Sequence, residues 1–356
     1  IEDIYCDYTN AAFEKYDKKL INTAIPYDQR GSSFSKATLN SLSPLLSEFR
    51  LIKSSEELEH LKRACDITVE GHKSAMEFTK KDMYEYQIEA EMEKTFYDLG
   101  AERLGYPSIV ASGDNACILH YSTNREKVDN NGLILIDAAA EFKMYSSDVT
   151  RTFPVNGKFT KVQKDVYTEV LNAQELGIKN VTTKKTMSDI HTSTVTSISQ
   201  SLVDLGLVPM GVEETISMMH YFEFFMHGTG HWLGLDVHDA GTTEEKNKPR
   251  KLKPGMVTTI EPGIYIRPNK PEIEFKLLER DPKKIRERRK SLGMEKATKL
   301  ESEEMKDAKS IKHKIPKDLL GIGIRIEDDI VCTENDPINL TIGAPKTIDD
   351  VEAICS

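Results

Sequence analysis

The chain of 356 residues contains no apolar run approaching the ~20 residues that a bilayer-spanning helix needs, so no stretch of it reads as a membrane segment. It is poor in cysteine: Cys6, Cys65, Cys117, Cys332 and Cys355 are odd in number and form no CxxC pair. That pattern argues for a reducing compartment and leaves no cysteine-built zinc site. Excess positive charge is also missing, since the net charge is −10, which argues against nucleic acid as the main partner. No internal repeat of fixed short period appears. The first residue is Ile1 and no basic-then-apolar leader precedes the fold, so the chain is expected to be a fragment or processed form. A cytoplasmic setting is expected, with an organellar form left open.

What is present is ordinary for a soluble globular protein of one large or two ordinary domains: 38% hydrophobic and 30% charged residues. Residues 1–46 hold only short apolar pieces and a Ser/Leu-rich stretch, which predicts the tail of a preceding domain plus a linker. Ser54 with Glu57 is a capping-box pair, and Leu58, Leu61, Cys65, Val69, His72 and Met76 mark one face of a long helix. Asp82 with Glu85 opens a second helix that stops at Gly100, Thr160 with Gln163 a third, and a fourth runs to Gly206. Ser108 to Ser112 and Cys117 to Tyr121 read as short strands, as do His227 to His238, Val257 to Ile266 and Gly321 to Thr333. Helices and strands thus come in separate groups, which favours an α+β domain with an antiparallel sheet. Residues 280–317, dense in both charges, read as a solvated surface helix or a disordered insertion rather than a functional basic arm.

The stretch from Leu133 to Phe153 organises the rest. Leu133 to Ile136 is a buried strand that delivers Asp137, and Val149 to Phe153 is a second strand beginning at Asp148. A hairpin with its tip at Glu141 to Tyr145 brings the two carboxylates to one pocket, where they need a cation. The later blocks each add a metal-ligand type. His227 and His231 lie four apart among glycines, Glu261 ends an apolar strand before Pro262 and Gly263, and Arg325 and Glu327 share one face of a strand otherwise made of Ile and Val. A charge on an apolar strand face is costly unless it is paired or metal-bound. Asp137, Asp148, His231, Glu261 and Glu327 together form a hard, oxygen-rich set suited to Mn²⁺, with Zn²⁺, Co²⁺ or Fe²⁺ as alternatives. Four carboxylates around one divalent ion leave about two charges unbalanced, so two ions are favoured. Cys117 near His120 raises a thiol nucleophile as a rival, but nothing marks a lowered thiol pKa, and a small buried side chain is the preferred reading.

At this point the motifs coincide with a known family. The blocks Asp137 to Thr160, His227 to Gly241, Val257 to Tyr265 and Gly321 to Thr333, with Cys117 to Tyr121, resemble the pita-bread metallopeptidases, and within them the Xaa-Pro aminopeptidase (aminopeptidase P) group. The resemblance covers roughly residues 47–356 in matching order. It implies a curved antiparallel sheet covered by helices, and a dimetal exopeptidase that hydrolyses the N-terminal Xaa-Pro bond by attack of a metal-bridging hydroxide. By matching position, Asp137 chelates one metal, Asp148 and Glu327 bridge the two, and His231 and Glu261 bind the other. His120, His227 and His238 match histidines that orient substrate and stabilise the tetrahedral intermediate. Arg325 matches an arginine beside the metal carboxylates, and Glu261 can shuttle a proton to the leaving nitrogen. Peptides with proline at the second position are the implied partners, with a homodimer or higher homo-oligomer expected. An Xaa-Pro dipeptidase is the nearest alternative, and a non-catalytic module of the same fold is disfavoured because all five ligands are present. Two departures stand out. Ala139 occupies a position where the family usually has glycine, and Lys246, Lys248 and Arg250 all lie where one arginine of the proline pocket is expected.

Overall fold

The computed structural model describes residues 3–6, 38–246 and 248–356. Most of the expectation for residues 1–46 therefore falls outside the described residues. Within that region, read as the tail of a preceding domain plus a linker, the structure shows a strand Thr38–Ser41, parallel to Asp3–Cys6, and the start of a helix Ser43–Leu51.

Local capping chemistry sets the helices. Ser54 accepts the Glu57 N–H and the Glu57 carboxylate accepts the Ser54 N–H at 2.8 Å, which starts the helix Ser55–Phe78. The same reciprocal arrangement of Thr160 with Gln163 starts Lys161–Lys179, and Thr186 with Asp189 starts Met187–Asp204. Removing such a cap costs about 1 kcal/mol. The helix expected to open at Asp82 instead begins at Glu85 and runs to Asp98, with Asp82 itself in the left-handed region at φ 67°. The predicted face of the first long helix is the buried one, carrying Leu61, Cys65, Val69, His72 and Met76. It packs on the Glu85–Asp98 helix so closely that a Cβ at Gly71 would overlap the ring of Phe96.

The strands form short ladders that change direction at the site. From residue 103 onward every described pairing is antiparallel. Leu133–Asp137 lies between Ile109–Ser112 and Thr150–Pro154, with Asp137 opposite Thr150. Beyond that pair the hairpin continues as Ala140–Phe142 against Tyr145–Ser146, and the turn falls on Lys143 and Met144, both at positive φ. Val257–Ile260 pairs with Asp328–Val331, and Gly263–Tyr265 pairs with Gly323–Arg325. Both chains of this long ladder break at the same level, one at Glu261 and Pro262, the other at Ile326 and Glu327. Arg325 and Glu327 therefore lie on either side of a bend rather than on one continuous strand.

Two expected strands are loops. Gly113–Cys117 is a short 3-10 helix followed by a turn, so Cys117 to Tyr121 does not form a strand. His227 to His238 is irregular apart from a single bridge from Trp232 to Thr258, yet it follows the neighbouring strand closely. Glu261 N–H donates to Thr229 O, Thr259 N–H to His231 O, and Leu233 N–H to Val257 O. The approach is tight enough that a Cβ at Gly230 would collide with the Thr259 carbonyl, which explains the glycine there.

The charged segment is ordered as two exposed helices, Pro282–Leu292 and Met294–Asp307, which project from a hairpin of Glu272–Lys276 with Ser310–Lys314. Arg288 and Glu304 pair across them at 2.8 Å. This agrees with a solvated surface helix and adds a strand the charge pattern concealed.

Candidate metal centre

The nine candidate metal and catalytic residues read from sequence, His120, Asp137, Asp148, His227, His231, His238, Glu261, Arg325 and Glu327, converge on one cavity of about 680 Å³, and the unassigned basic trio does not. Asp137 stands at the end of its strand, Asp148 just before the next, and Glu261 and Glu327 at the two breaks of the long ladder. A strand end or bend frees a carboxylate from the pleat and aims it into the space between ladders, which is why ligands collect there. His231 comes from the glycine-rich loop, held by the hydrogen bonds to Thr259. Ligand atoms of Asp148, His231 and Glu327 lie within 4.8 Å of one another, with Asp137 and Glu261 flanking them.

The electrostatics show a site short of positive charge. Burial, with the charges of Asp148, Glu261 and Asp137, holds Glu327 well above the usual carboxylate range. Burial and the charge of Asp148 push Glu261 up to about 8 despite His231 nearby. Burial raises Asp148 as well. Burial works against a proton on His231, but its hydrogen bond to Asp148 and the charges of Asp148 and Glu261 outweigh that and push it up to about 9. His231 Nε2 sits 3.2 Å from Asp148 and 3.8 Å from Glu261. Its Nδ1–H donates to Trp232 O at 3.0 Å, which leaves Nε2 as the atom free to ligate. The donor set, four carboxylates and one oriented imidazole, fits divalent cations of the harder kind.

Arg325 is the one permanent cation lining this cavity among the described residues. It is buried, bonds Asp137 at 2.5 Å, donates to the Tyr265 hydroxyl at 2.9 Å, and reaches Thr150 at 3.0 Å. Thr150 in turn donates to Glu327 at 2.7 Å. The Tyr265 O–H donates to His227 Nε2 at 2.8 Å, while His227 Nδ1–H donates to Gly228 O at 2.8 Å. Burial and the Arg325 charge push His227 down to about 3, so it stays neutral with one fixed tautomer. His238 packs its ring 4.1 Å from that of His231 and is lowered by burial. His120 is exposed at the rim.

Sequence reasoning missed Tyr106. Its hydroxyl lies 2.5 Å from both Asp137 and Asp148. A phenol has one proton, so the second of these contacts requires a proton shared from a carboxyl, in keeping with the raised Asp148. Nothing in the local pattern of Gly105, Tyr106 and Pro107 marks a site residue. Tyr265 and Thr150 lay inside quoted blocks without a role, and only their cross-strand registers reveal one.

Other expectations resolve simply. Cys117 is buried, donates to Ile266 O, and is pushed up to about 12 by burial, which removes the thiol nucleophile. Ala139 is fully buried and does not adopt positive φ, so its β-carbon is accommodated without strain. Arg250 is buried in a two-pronged pair with Glu48, and Lys246 and Lys248 are exposed, so none of the three lines the cavity.

Comparison with known proteins gives a consistent result. The sequence pattern of metallopeptidase family M24 matches residues 59–334. The Xaa-Pro aminopeptidase of Escherichia coli is 37% identical over 342 residues, covering 95% of this chain and 68% of that protein. That of Haemophilus influenzae is 39% identical over 309 residues, covering 87% of this chain and 62% of its own. Among solved structures, the aminopeptidase PepP of Pseudomonas aeruginosa superposes with TM-score 0.82 at 35% identity, covering 99% of this chain and 71% of that one. Aminopeptidase P from E. coli with the inhibitor Pro-Leu gives the same TM-score of 0.82 at 35% identity, covering 100% of this chain and 71% of that one.

Proposed function

The chain belongs to metallopeptidase family M24, and on that premise we propose that it is the catalytic part of an Xaa-Pro aminopeptidase, an exopeptidase that releases the first residue from peptides with proline second. The observation that carries this reading is the convergence of Asp148, His231 and Glu327 between Asp137 and Glu261, in a cavity that also presents His120, His227 and His238. We assign residues 47–356 to the catalytic unit and residues 1–46 to a preceding part.

Asp137 would hold one divalent ion, His231 and Glu261 the other, and Asp148 and Glu327 both. A compact trio with a carboxylate on each side suits two ions better than one. With Arg325 paired to Asp137, one ion leaves about one negative charge and two leave about one positive, which a hydroxide from solvent balances. When bound, the ions supply Lewis acidity toward the scissile carbonyl and a nucleophilic water at neutral pH. Mn²⁺ is the preferred ion for this donor set, and a homo-oligomer is the expected assembly.

The chain's own residues supply the rest. Glu261, at the edge of the centre beside His227, takes a proton from the attacking water and passes it to the leaving proline nitrogen. Arg325, fixed by Tyr265 and Thr150, holds the Asp137 carboxylate in one orientation through a charged hydrogen bond. His227 is locked by Gly228 and Tyr265, so its neutral ring faces the cavity in one orientation beside Glu261 at 3.5 Å. His120 and His238 contribute donors toward the oxygen on which charge develops. The apolar wall of Pro107, Ile109, Leu119 and Val237 suits a proline ring.

The test is hydrolysis of Arg-Pro-Pro peptides and of Xaa-Pro dipeptides by Mn²⁺-loaded protein. Release of the first residue from the longer peptides supports the proposal. Cleavage of dipeptides alone would reassign the protein as a dipeptidase, and no release with any of Mn²⁺, Zn²⁺, Co²⁺ or Fe²⁺ would refute the enzymatic reading.

A further inference from the structure

The loop that carries His120 has almost no structure of its own. Leu119 and His120 lie in a turn, but among the described residues the backbone of Leu119 to Thr123 makes no hydrogen bond of good geometry, and the His120 side chain makes none either. The loop is held from one side, by a carboxylate on a neighbouring helix. Glu85, the first residue of the Glu85–Asp98 helix, is fully buried and accepts four hydrogen bonds. One of its oxygens takes the Ser112 N–H and the Asn115 amide, each at 2.9 Å, and the other takes the Tyr121 hydroxyl at 2.7 Å and the Glu126 N–H at 3.0 Å. Every donor comes from the segment that brackets His120, and Tyr121 is its immediate neighbour.

A second clamp lies just beyond. Asn124, buried and at φ 49°, donates to Glu89 and to Ser108 O, each at 2.8 Å, and accepts the Val110 N–H at 3.0 Å. The acidic face of one helix therefore fixes both ends of the turn. A helix N-terminus favours a carboxylate, and four donors converge on the two Glu85 oxygens, a set that an amide in the same place could satisfy only in part. The sequence pattern had marked Glu85 only as a capping partner, a task the structure does not give it.

We infer that Glu85 is a positioning residue that sets where His120 stands in the cavity; the inference rests on the reading that His120 acts on substrate. The test is a double-mutant cycle. Glu85→Gln places amide hydrogens where two donors arrive, and Tyr121→Phe deletes a single bond of the four, so the second variant keeps the question open to experiment if the first does not fold. With melting temperature and bound metal measured alongside, E85Q should lower kcat by up to roughly 100-fold with KM little changed, and Y121F less. In a His120→Ala background both effects should shrink to about 2-fold or below. Equal losses with and without His120 would show that Glu85 acts on the fold at large and would overturn the inference. Unchanged kcat in folded E85Q and Y121F would overturn it too. Full activity of H120A alone would remove His120 from the chemistry, and the inference would fall with that reading while the metal centre stood.

Discussion

Replacing Arg151 by Met is expected to cost about 3 to 5 kcal/mol of stability, although Arg151 touches no metal ligand side chain. Its guanidinium is fully buried and uses every donor. It pairs with Asp328 at 2.6 Å and donates to the carbonyls of Glu327 at 2.6 Å, Thr150 at 2.9 Å, Pro345 at 3.0 Å and Ala344 at 3.1 Å. Met fills the space of the stem but leaves Asp328 with Lys346 as its only cationic partner among the described residues, and takes a donor from the carbonyls of Glu327, Pro345 and Ala344, while the Thr150 carbonyl keeps the Glu327 N–H. Urea unfolding at pH 7 should show the deficit, and calorimetry a drop of roughly 10 °C. Burial opposes ionisation of Asp328, but Arg151 and Lys346 hold its carboxyl well below the usual range of 3.8. The contribution of this carboxylate is therefore present above the unfolded value and lost only as pH falls through the lower folded one. The deficit of R151M should accordingly persist from pH 7 to pH 5. Activity should fall further than the folded fraction explains, because the Glu327 and Thr150 carbonyls that Arg151 anchors flank the centre. Stability of R151M within about 1 kcal/mol of the parent would refute the reasoning.

Three further outcomes follow from the same geometry. Burial pushes His72 down to about 4 from 6.5, and its Nε2 bonds Ala138 O at 3.0 Å, so acidification through that window protonates the unfolded chain first and removes up to about 3 kcal/mol of stability. His72→Gln should flatten the slope between those values, and an unchanged slope would contradict the role of burial. Asp148→Asn should abolish activity and lower bound metal measured by elemental analysis, and full activity would exclude a bridging ligand at that position. Cys117→Ala should retain activity within about 2-fold, whereas a loss of several orders would revive the thiol nucleophile.

Much of the centre was legible because each ligand sits where a strand pattern ends. Asp137, Asp148 and Glu261 border apolar runs, and a carboxylate at such a border has few structural roles. Ser54 with Glu57 and Thr160 with Gln163 were equally plain, since both partners of a capping box lie within one turn. Features built from distant segments were not legible. The loop from His227 to His238 has strand-like composition, yet the collision a side chain at Gly230 would make with the Thr259 carbonyl depends on a neighbour that no local pattern contains. Tyr106 bridges two carboxylates brought to it by a hairpin thirty residues on. Glu85 looked like a cap because its four donors come from another loop. Lys246, Lys248 and Arg250 could not be told apart after the histidines, and the pairing of Arg250 with Glu48 depends on a helix two hundred residues earlier.

The three consecutive acids Glu327, Asp328 and Asp329 show how the fold distinguishes structural from functional charge. Side chains alternate along the strand Asp328–Val331, so Asp328 points opposite to Asp329, while Glu327, at the break before it, faces Asp148 as Asp329 does. On its side the chain supplies Arg151 and Lys346, with Gln174, Asn339 and Thr341 as further donors, and the carboxylate is held ionised. On the other side Glu327 and Asp329 lie against Asp148, and both are driven well above the usual range, first by burial and then by the Asp148 charge. Asp329 still accepts the Asp148 N–H at 3.0 Å and the Cys65 thiol at 3.3 Å, so it serves the backbone of a ligand even as a neutral acid. Among the described residues only Arg325, committed to Asp137, brings a permanent positive charge to that side. Leaving three buried carboxyl groups without a cation would disfavour the ionised fold, and a lysine in their midst would have met the need of stability alone. A divalent ion meets the same need while keeping coordination positions for water and substrate, and its removal should therefore lower stability as well as activity, by a margin that shrinks as acid protonates the cluster.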